Sequence, residues 1–325
     1  MKNIFTSLII ILSLKLSAQK IDYSFPEGYE NEISKKDYTD LVNESVKAIS
    51  KNYKVVSVEK GVIELEKGQD YNILNLHNLI LKCSEVGKEK WISLINSHFD
   101  SMYESMEKQK QLDQNKFETL IDYLTIRIYQ ESFVIQNGGI DNLIAKKDLD
   151  GTFSVLMLDL PSAFTPIKKD MFNLWNKKSD EVFNIAQKNV NKQEFTKGTE
   201  TIDADGQKID ISFIENENYG ASIALDLKNN APEFIGELGS VIAIPNKGIV
   251  NIFKISKNKP LDFMLFIQKC KPIVENFFNQ HPQPISKDFY WYYSGKFTKI
   301  NIAEKNGEFI VIAPIGLTEL MAVKK

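Results

Sequence analysis

The hydrophobic positions of this chain switch repeatedly between a helical spacing and strict alternation. Ser34, with Asp37 three residues on, opens a helix whose apolar face is Leu41, Val42, Val46 and Ile49. Val55 to Glu66 then alternates. Val56 and Val58 fall on one side, Ile63 and Leu65 lie across from them, and Lys60-Gly61 supplies the turn of a hairpin. Two helical stripes follow: Leu76, Leu79, Ile80 and Cys83, closed by Gly87, and then Trp91, Leu94, Ile95, His98, Met102 and Met106. The polar stretch 107–115 reads as a domain boundary or as the exposed end of that long helix.

Strands are more frequent beyond it. Residues 123–129 alternate around Arg127, and 143–147 with 153–160 form a hairpin about Asp150-Gly151, ended by Pro161. A helix pair carries Met171, Phe172 and Trp175, then Val182, Phe183, Ala186 and Val190. Strands are expected over 209–214 and 221–227, and a short helix over 232–238 stops at Gly239. A strand pair spans 241–245 and 250–255. A helix from Pro260 through Phe263 and Ile267 kinks or restarts at Pro272. The final hairpin joins 297–302 to 309–313 across Asn306-Gly307. Helices interleaved with antiparallel hairpins define an α+β fold, in two lobes. These are a helix-hairpin-helix lobe over 19–115 and a C-terminal α+β domain over 116–325.

The first eighteen residues carry a different pattern. Lys2, an apolar run from Ile4 to Leu14 and the small pair Ser17-Ala18 read as a cleavable signal peptide, cut near Ala18-Gln19. That predicts an exported chain, periplasmic or secreted. The run is too short for a spanning helix, and no other stretch is long and apolar enough for one. A lipid anchor is not expected, because Gln19 stands where a lipoprotein has cysteine.

Charge narrows the partners. The chain carries a formal charge of −3, and loses two further positive charges with Lys2 and Lys15. That mild acidity argues against a nucleic-acid partner, which requires a basic face. Arg127 is the sole arginine among 40 basic residues, so no arginine cluster for phosphate or sulfate can form. Cys83 and Cys270 are the only cysteines. Each lies in an apolar helical pattern and reads as a separately buried thiol, with a disulfide as the alternative.

Candidate chemistry is sparse. His77, His98 and His281 show no zinc-ligand spacing, and His98 lies on an apolar stripe as a packed residue would. Asp148-Leu149-Asp150-Gly151 and Asp203-Ala204-Asp205-Gly206 resemble calcium loops but lack the remaining ligands. They read as turns. No metal and no cofactor is expected. Nucleophile elbows and phosphate-cradling glycine loops are missing. Phe289-Tyr290-Trp291-Tyr292-Tyr293, as a strand, places Tyr290 and Tyr292 on one face and Phe289, Trp291 and Tyr293 on the other. One buried and one amphipathic face is the expectation.

The second half also carries a family likeness. The run 142–161 (NLIAKKDLDGTFSVLMLDLP), followed by Trp175 and 180–189 (DEVFNIAQKN), resembles the YtpQ-like bacterial proteins, a domain family of unknown function. Arg127-Ile128-Tyr129, 217–222 (ENYGAS) and 242–245 (IAIP) are similar in order. So is the closing segment 281–296, with Pro284-Ile285-Ser286 and Ser294-Gly295-Lys296. The likeness spans about residues 34 to 303. The chain departs from the family pattern at Gly220, where members carry an acidic residue, and at Asn246-Lys247-Gly248. Export is a further departure, since members are usually read as cytoplasmic. The resemblance implies a fold and no reaction. It singles out Arg127, on a position where the family also has arginine, and with it Tyr129, Tyr219 and Ser222 as ligand-binding candidates. A buried or ion-paired structural Arg127 is the alternative. These readings together predict a non-enzymatic binding or interaction module for a protein or small-molecule ligand. The alternative is an extracytoplasmic hydrolase using a carboxylate pair.

Overall fold

The computed structural model describes residues 20–160, 163–204, 206–305 and 308–322. The segment 1–18 expected to be a signal peptide, Pro161, Asp205 and the expected turn at Asn306-Gly307 lie outside the described residues. The fold is α+β, with three mostly antiparallel sheets and interleaved helices. The chain divides into two compact units, Met1–Met106 and Glu107–Lys325.

In the smaller unit the order is β1 (Lys20–Ile21), α1 (Lys35–Ile49), β2 (Val55–Glu59), β3 (Val62–Leu65), β4 (Ile73–Asn75), α2 (His77–Ser84) and α3 (Trp91–Gln111). The strands form one sheet in sequence order. Ser34 caps α1 by accepting from the Asp37 amide at 3.1 Å, while its own hydroxyl donates to the Asp37 carboxylate. Lys60 and Gly61 make the β2–β3 turn at positive φ (48° and 73°). Val56 differs from the alternating expectation. The ladder shifts register between Val55 and Ser57. This bulge inserts one residue, so Val55 and Val58 share the buried face and Val56 turns to solvent. The core joins α1, α2, the hairpin and the first turns of α3, including Phe99, which sits between Ile95 and Met102 on the buried stripe. Residues 107–111 are the last turn of α3.

The larger unit begins with β5 (Leu124–Gln130), α4 (Glu131–Gln136), β6 (Ala145–Lys146), β7 (Thr152–Leu160) and β8 (Ala163–Pro166). These strands form a small sheet in which β7 pairs β5, β6 and β8. Next come α5 (Lys169–Leu174), α6 (Ser179–Val190), β9 (Thr196–Ala204), β10 (Gln207–Glu215), α7 (Gly220–Ala224) and α8 (Leu227–Asn230). The chain ends with β11 (Ser240–Ala243), β12 (Ile249–Lys254), α9 (Asp262–Gln280), β13 (Phe289–Tyr293), β14 (Lys296–Lys305), β15 (Glu308–Ile312) and α10 (Ile315–Ala322). The seven-stranded sheet runs β15-β14-β13-β11-β12-β10-β9.

Three elements differ from the sequence pattern. Residues 221–227 form α7 and lead into α8 instead of a strand. The apolar run is too short for its period to decide, and burial on every side of α7 settles it. Strand β9 carries almost no apolar alternation, yet it pairs β10 along its whole length at the sheet edge. A polar edge strand resists pairing with other chains. Its one glycine, Gly198, lies opposite Phe213, whose ring covers it. Strand β13 is interior to the sheet and buries both faces rather than one. Tyr290 and Tyr292 enter the core shared with α6 and α7, while Phe289 and Trp291 enter the core beneath α9. Helix α9 runs through Pro272 without ending.

Cys83 and Cys270 are free and buried, each in its own unit's core. Burial pushes the Cys83 thiol up to about 11 and Cys270 up to about 12. Among the described residues, no helix is long and apolar enough to cross a membrane.

The bulge in β2 gives a direct test. Val55→Ala is expected to cost about 1.5–3 kcal/mol of unfolding free energy. Val56→Ala should stay within about 0.5 kcal/mol of the parent. Urea denaturation of the two variants decides it, and the reverse order would restore plain alternation.

Candidate functional site

Strand β5 points successive side chains to opposite faces of the small sheet. Leu124, Ile126 and Ile128 join the core shared with α6 and the large sheet. Arg127 takes the other face and is 3% exposed. Its Nη2 donates to Gln283 Oε1 at 2.8 Å, the one hydrogen bond of the guanidinium among the described residues. The guanidinium carbon sits 4.2 Å from the centroid of the Phe164 ring, in cation–π contact. Burial lowers the Arg127 pKa, and Tyr129, Tyr219 and Asp159 oppose that shift.

Asp159, on β7, is the carboxylate of this cluster. The Tyr219 hydroxyl donates to Asp159 Oδ2, and the Tyr219 ring meets Phe164 edge-on, 5.7 Å between centroids. Burial pushes the Asp159 carboxyl above its ordinary value, and the Tyr219 hydrogen bond and the Arg127 charge pull it back only in part. Tyr219 is raised as well, by burial first and by its bond to Asp159 second. His281 stands near: its Nδ1 accepts from the Gln283 amide at 2.9 Å. Burial, then the charge of Lys247, lowers its pKa.

Of the four residues singled out from sequence, the fold brings Arg127 and Tyr219 into one cluster. Tyr129 shares the Arg127 face but stacks on Phe133, 3.8 Å between centroids. Ser222 is buried in α7, and its hydroxyl donates to the Ile126 carbonyl at 2.7 Å, pinning α7 to β5. Sequence reasoning missed Asp159, Phe164 and Gln283. The one available signal was Asp159 itself, an acid inside the apolar run of β7.

Gly220 and the stretch 246–248 abut here. A Cβ on Gly220 would lie 2.4 Å from the Gly248 carbonyl oxygen. The Ala221 amide donates to the Lys247 carbonyl at 3.0 Å. A side chain at 220 is therefore incompatible with the backbone course at 246–248.

On the Ile126 side of β5 lies a cleft of about 740 Å³. The stretch from β6 onward supplies Lys146, Lys147 and Asp148 to its wall. Helix α6 adds Phe183, Asn184, Gln187 and Lys188, and the β13–β14 turn adds Gly295, Lys296 and Phe297. The turn is a two-residue hairpin with Ser294 and Gly295 at positive φ (48° and 80°). An amide network stiffens the far wall. Gln187 Nε2 and Asn230 Nδ2 both donate to Asn191 Oδ1 at 2.9 Å, and Asn191 Nδ2 donates to Asp226 Oδ2 at 2.7 Å. Nothing local in the sequence signals that these lysines share a surface, because their segments are far apart in the chain.

Among the described residues, no group of three His, Cys, Asp or Glu side chains is placed to hold a metal ion. Comparison with family models, curated proteins and solved structures finds no match to this chain.

The raised Asp159 sets a pH dependence. A carboxyl whose folded-state pKa exceeds its unfolded value, 3.8 for aspartate, makes the native state lose stability as pH rises through that window. Asp159→Asn keeps an acceptor for Tyr219 and removes the titration. The unfolding free energy of the variant relative to wild type is expected to grow as pH rises above about 4. A difference independent of pH would contradict the assignment.

Proposed function

We propose that this chain is a non-enzymatic binding module, that a small polar molecule is its ligand, and that the cleft beside α6 is the binding site. The cleft carries the reading. Its volume, about 740 Å³, falls in the range of small-molecule sites. Its lining combines lysines and amides with the apolar surface of Ile126, Phe183, Leu225 and Phe297. Three segments that carry the resemblance to the YtpQ-like family, 142–161, 180–189 and 281–296, all reach this cleft. The leader-like start at 1–18 favours binding outside the cytoplasm.

The hydrolase alternative asks for two carboxylates converging near Arg127 or His98. Beside Arg127 stands one, Asp159, already bonded to Tyr219. In the cleft, Asp148 faces Lys146 at 3.6 Å and Asp226 accepts from Asn191 and Asn229. Both thiols are raised by burial, which makes them poor nucleophiles. The Ser222 hydroxyl is engaged with a backbone carbonyl. Of these carboxylates, Asp148 keeps one buried oxygen, Oδ2, without a hydrogen-bond partner among the described residues, and a single such carboxylate supports binding over cleavage by a carboxylate pair.

A thermal-shift screen of the full chain against small polar metabolites tests the proposal. A ligand present at about a hundred times its Kd is expected to raise Tm by roughly 5 to 10 °C. Asn184→Trp, which places an indole in the mouth of the cleft, should abolish that shift. A shift that survives in this variant places the ligand elsewhere, and a screen with no shift removes the reading.

A further inference from the structure

Lysines outnumber carboxylates in the cleft wall, and two of the lysines stand apart from any carboxylate among the described residues. Four lysines line it, Lys146, Lys147, Lys188 and Lys296. Two of them are answered locally. Lys146 Nζ lies 3.6 Å from Asp148, and Lys147 Nζ lies 3.5 Å from Glu131. The second carboxylate of the lining, Asp226, accepts from the neutral amides Asn191 Nδ2 at 2.7 Å and Asn229 Nδ2 at 2.9 Å and keeps its negative charge. Lys188 and Lys296 have no acidic partner among the described residues. They come from separate elements, α6 and the start of β14, and both border the same space.

Resting on the reading of the cleft as the ligand site, we propose that its ligand is a compact organic dianion held between Lys188 and Lys296. Two ammonium groups on separate elements suit two negative groups on one molecule, each met by a flexible point charge rather than a planar fork. The amide side chain of Asn184 supplies a directional donor between them. Phe183, Phe297 and Leu225 give the carbon skeleton an apolar surface. The residue best suited to bidentate anion recognition, Arg127, is buried on the opposite face of β5 and takes no part. A phosphate ester and a dicarboxylate share the required chemistry, two negative charges on a small frame.

Lys188 has a structural role open to it, because it lies in the last turn of α6, where a cation favours the helix dipole. That role alone predicts a small loss of stability in Lys188→Gln and no effect on anion binding. Both lysines are exposed, so their substitution leaves the core intact.

Isothermal titration calorimetry of the full chain at low ionic strength, with glycerol phosphate, glutarate and glucose as separate titrants, tests the inference. One of the two dianions is expected to bind at a single site, and which one binds distinguishes phosphate from carboxylate chemistry. Lys188→Gln and Lys296→Gln should each weaken it about tenfold. Lys257→Gln, away from the cleft, should leave it unchanged, and added salt should weaken it further. The inference falls if neither dianion binds, or if one binds the Lys188→Gln, Lys296→Gln double variant as tightly as wild type. Binding of glucose that Asn184→Trp removes, without binding of either dianion, would keep the cleft as a ligand site and overturn its anion selectivity.

Discussion

Both faces of strands β11, β12 and β13 are apolar, and water must be kept from each. Val241, Phe253, Phe289 and Trp291 line one face beneath α9 and α10. Ile242, Val250, Ile252, Tyr290 and Tyr292 line the other, against α6, α7, α8 and the small sheet. A sheet buried on both sides needs a covering layer on each. Covering the second face brings β5 and α6 together over the large sheet, so the cleft is a by-product of that packing. Where α6, the turn after β6 and the β13–β14 hairpin fail to close on one another, polar side chains border the gap.

The same strand serves two environments. Ile126 borders the cleft, while its neighbour Arg127 is buried on the far side. A buried guanidinium is costly unless its charge and donors are answered. Gln283, the Phe164 ring and the Asp159–Tyr219 pair answer it from four separate segments of the larger unit. That arrangement fits a role in holding those segments to β5, and it leaves the exposed lysines as the cations available to a ligand.

Where a local signal existed, the sequence was legible. Ser34 and Asp37 make a cap from adjacent backbone groups. Lys60-Gly61 and Asp150-Gly151 make turns that need only their own φ angles. The stripes of α2 and α6 fall where their spacing puts them. Legibility failed where the deciding partner was distant. Val56 was misplaced because a bulge in the ladder exchanges the two faces of β2. Residues 221–227 became helical because α7 packs against Gly248 and β5. The aromatic strand β13 was read as half-exposed because nothing in its own residues reports the layer on its second face. Of the candidate site, Arg127 and Tyr219 were visible as residues, but their contact with Asp159, Phe164 and Gln283 was not.

The sequence by itself determined the fold class, most element positions, the apolar faces and the scarcity of arginine. These follow from periodicity, capping and composition, which are local or additive. Only the tertiary structure decided which face of β5 is buried with a cation and which opens on a cleft. It also decided which of many lysines border one cleft without an acidic partner among the described residues. Desolvation and Coulomb energies depend on distances between segments far apart in the chain, and those distances exist only after packing.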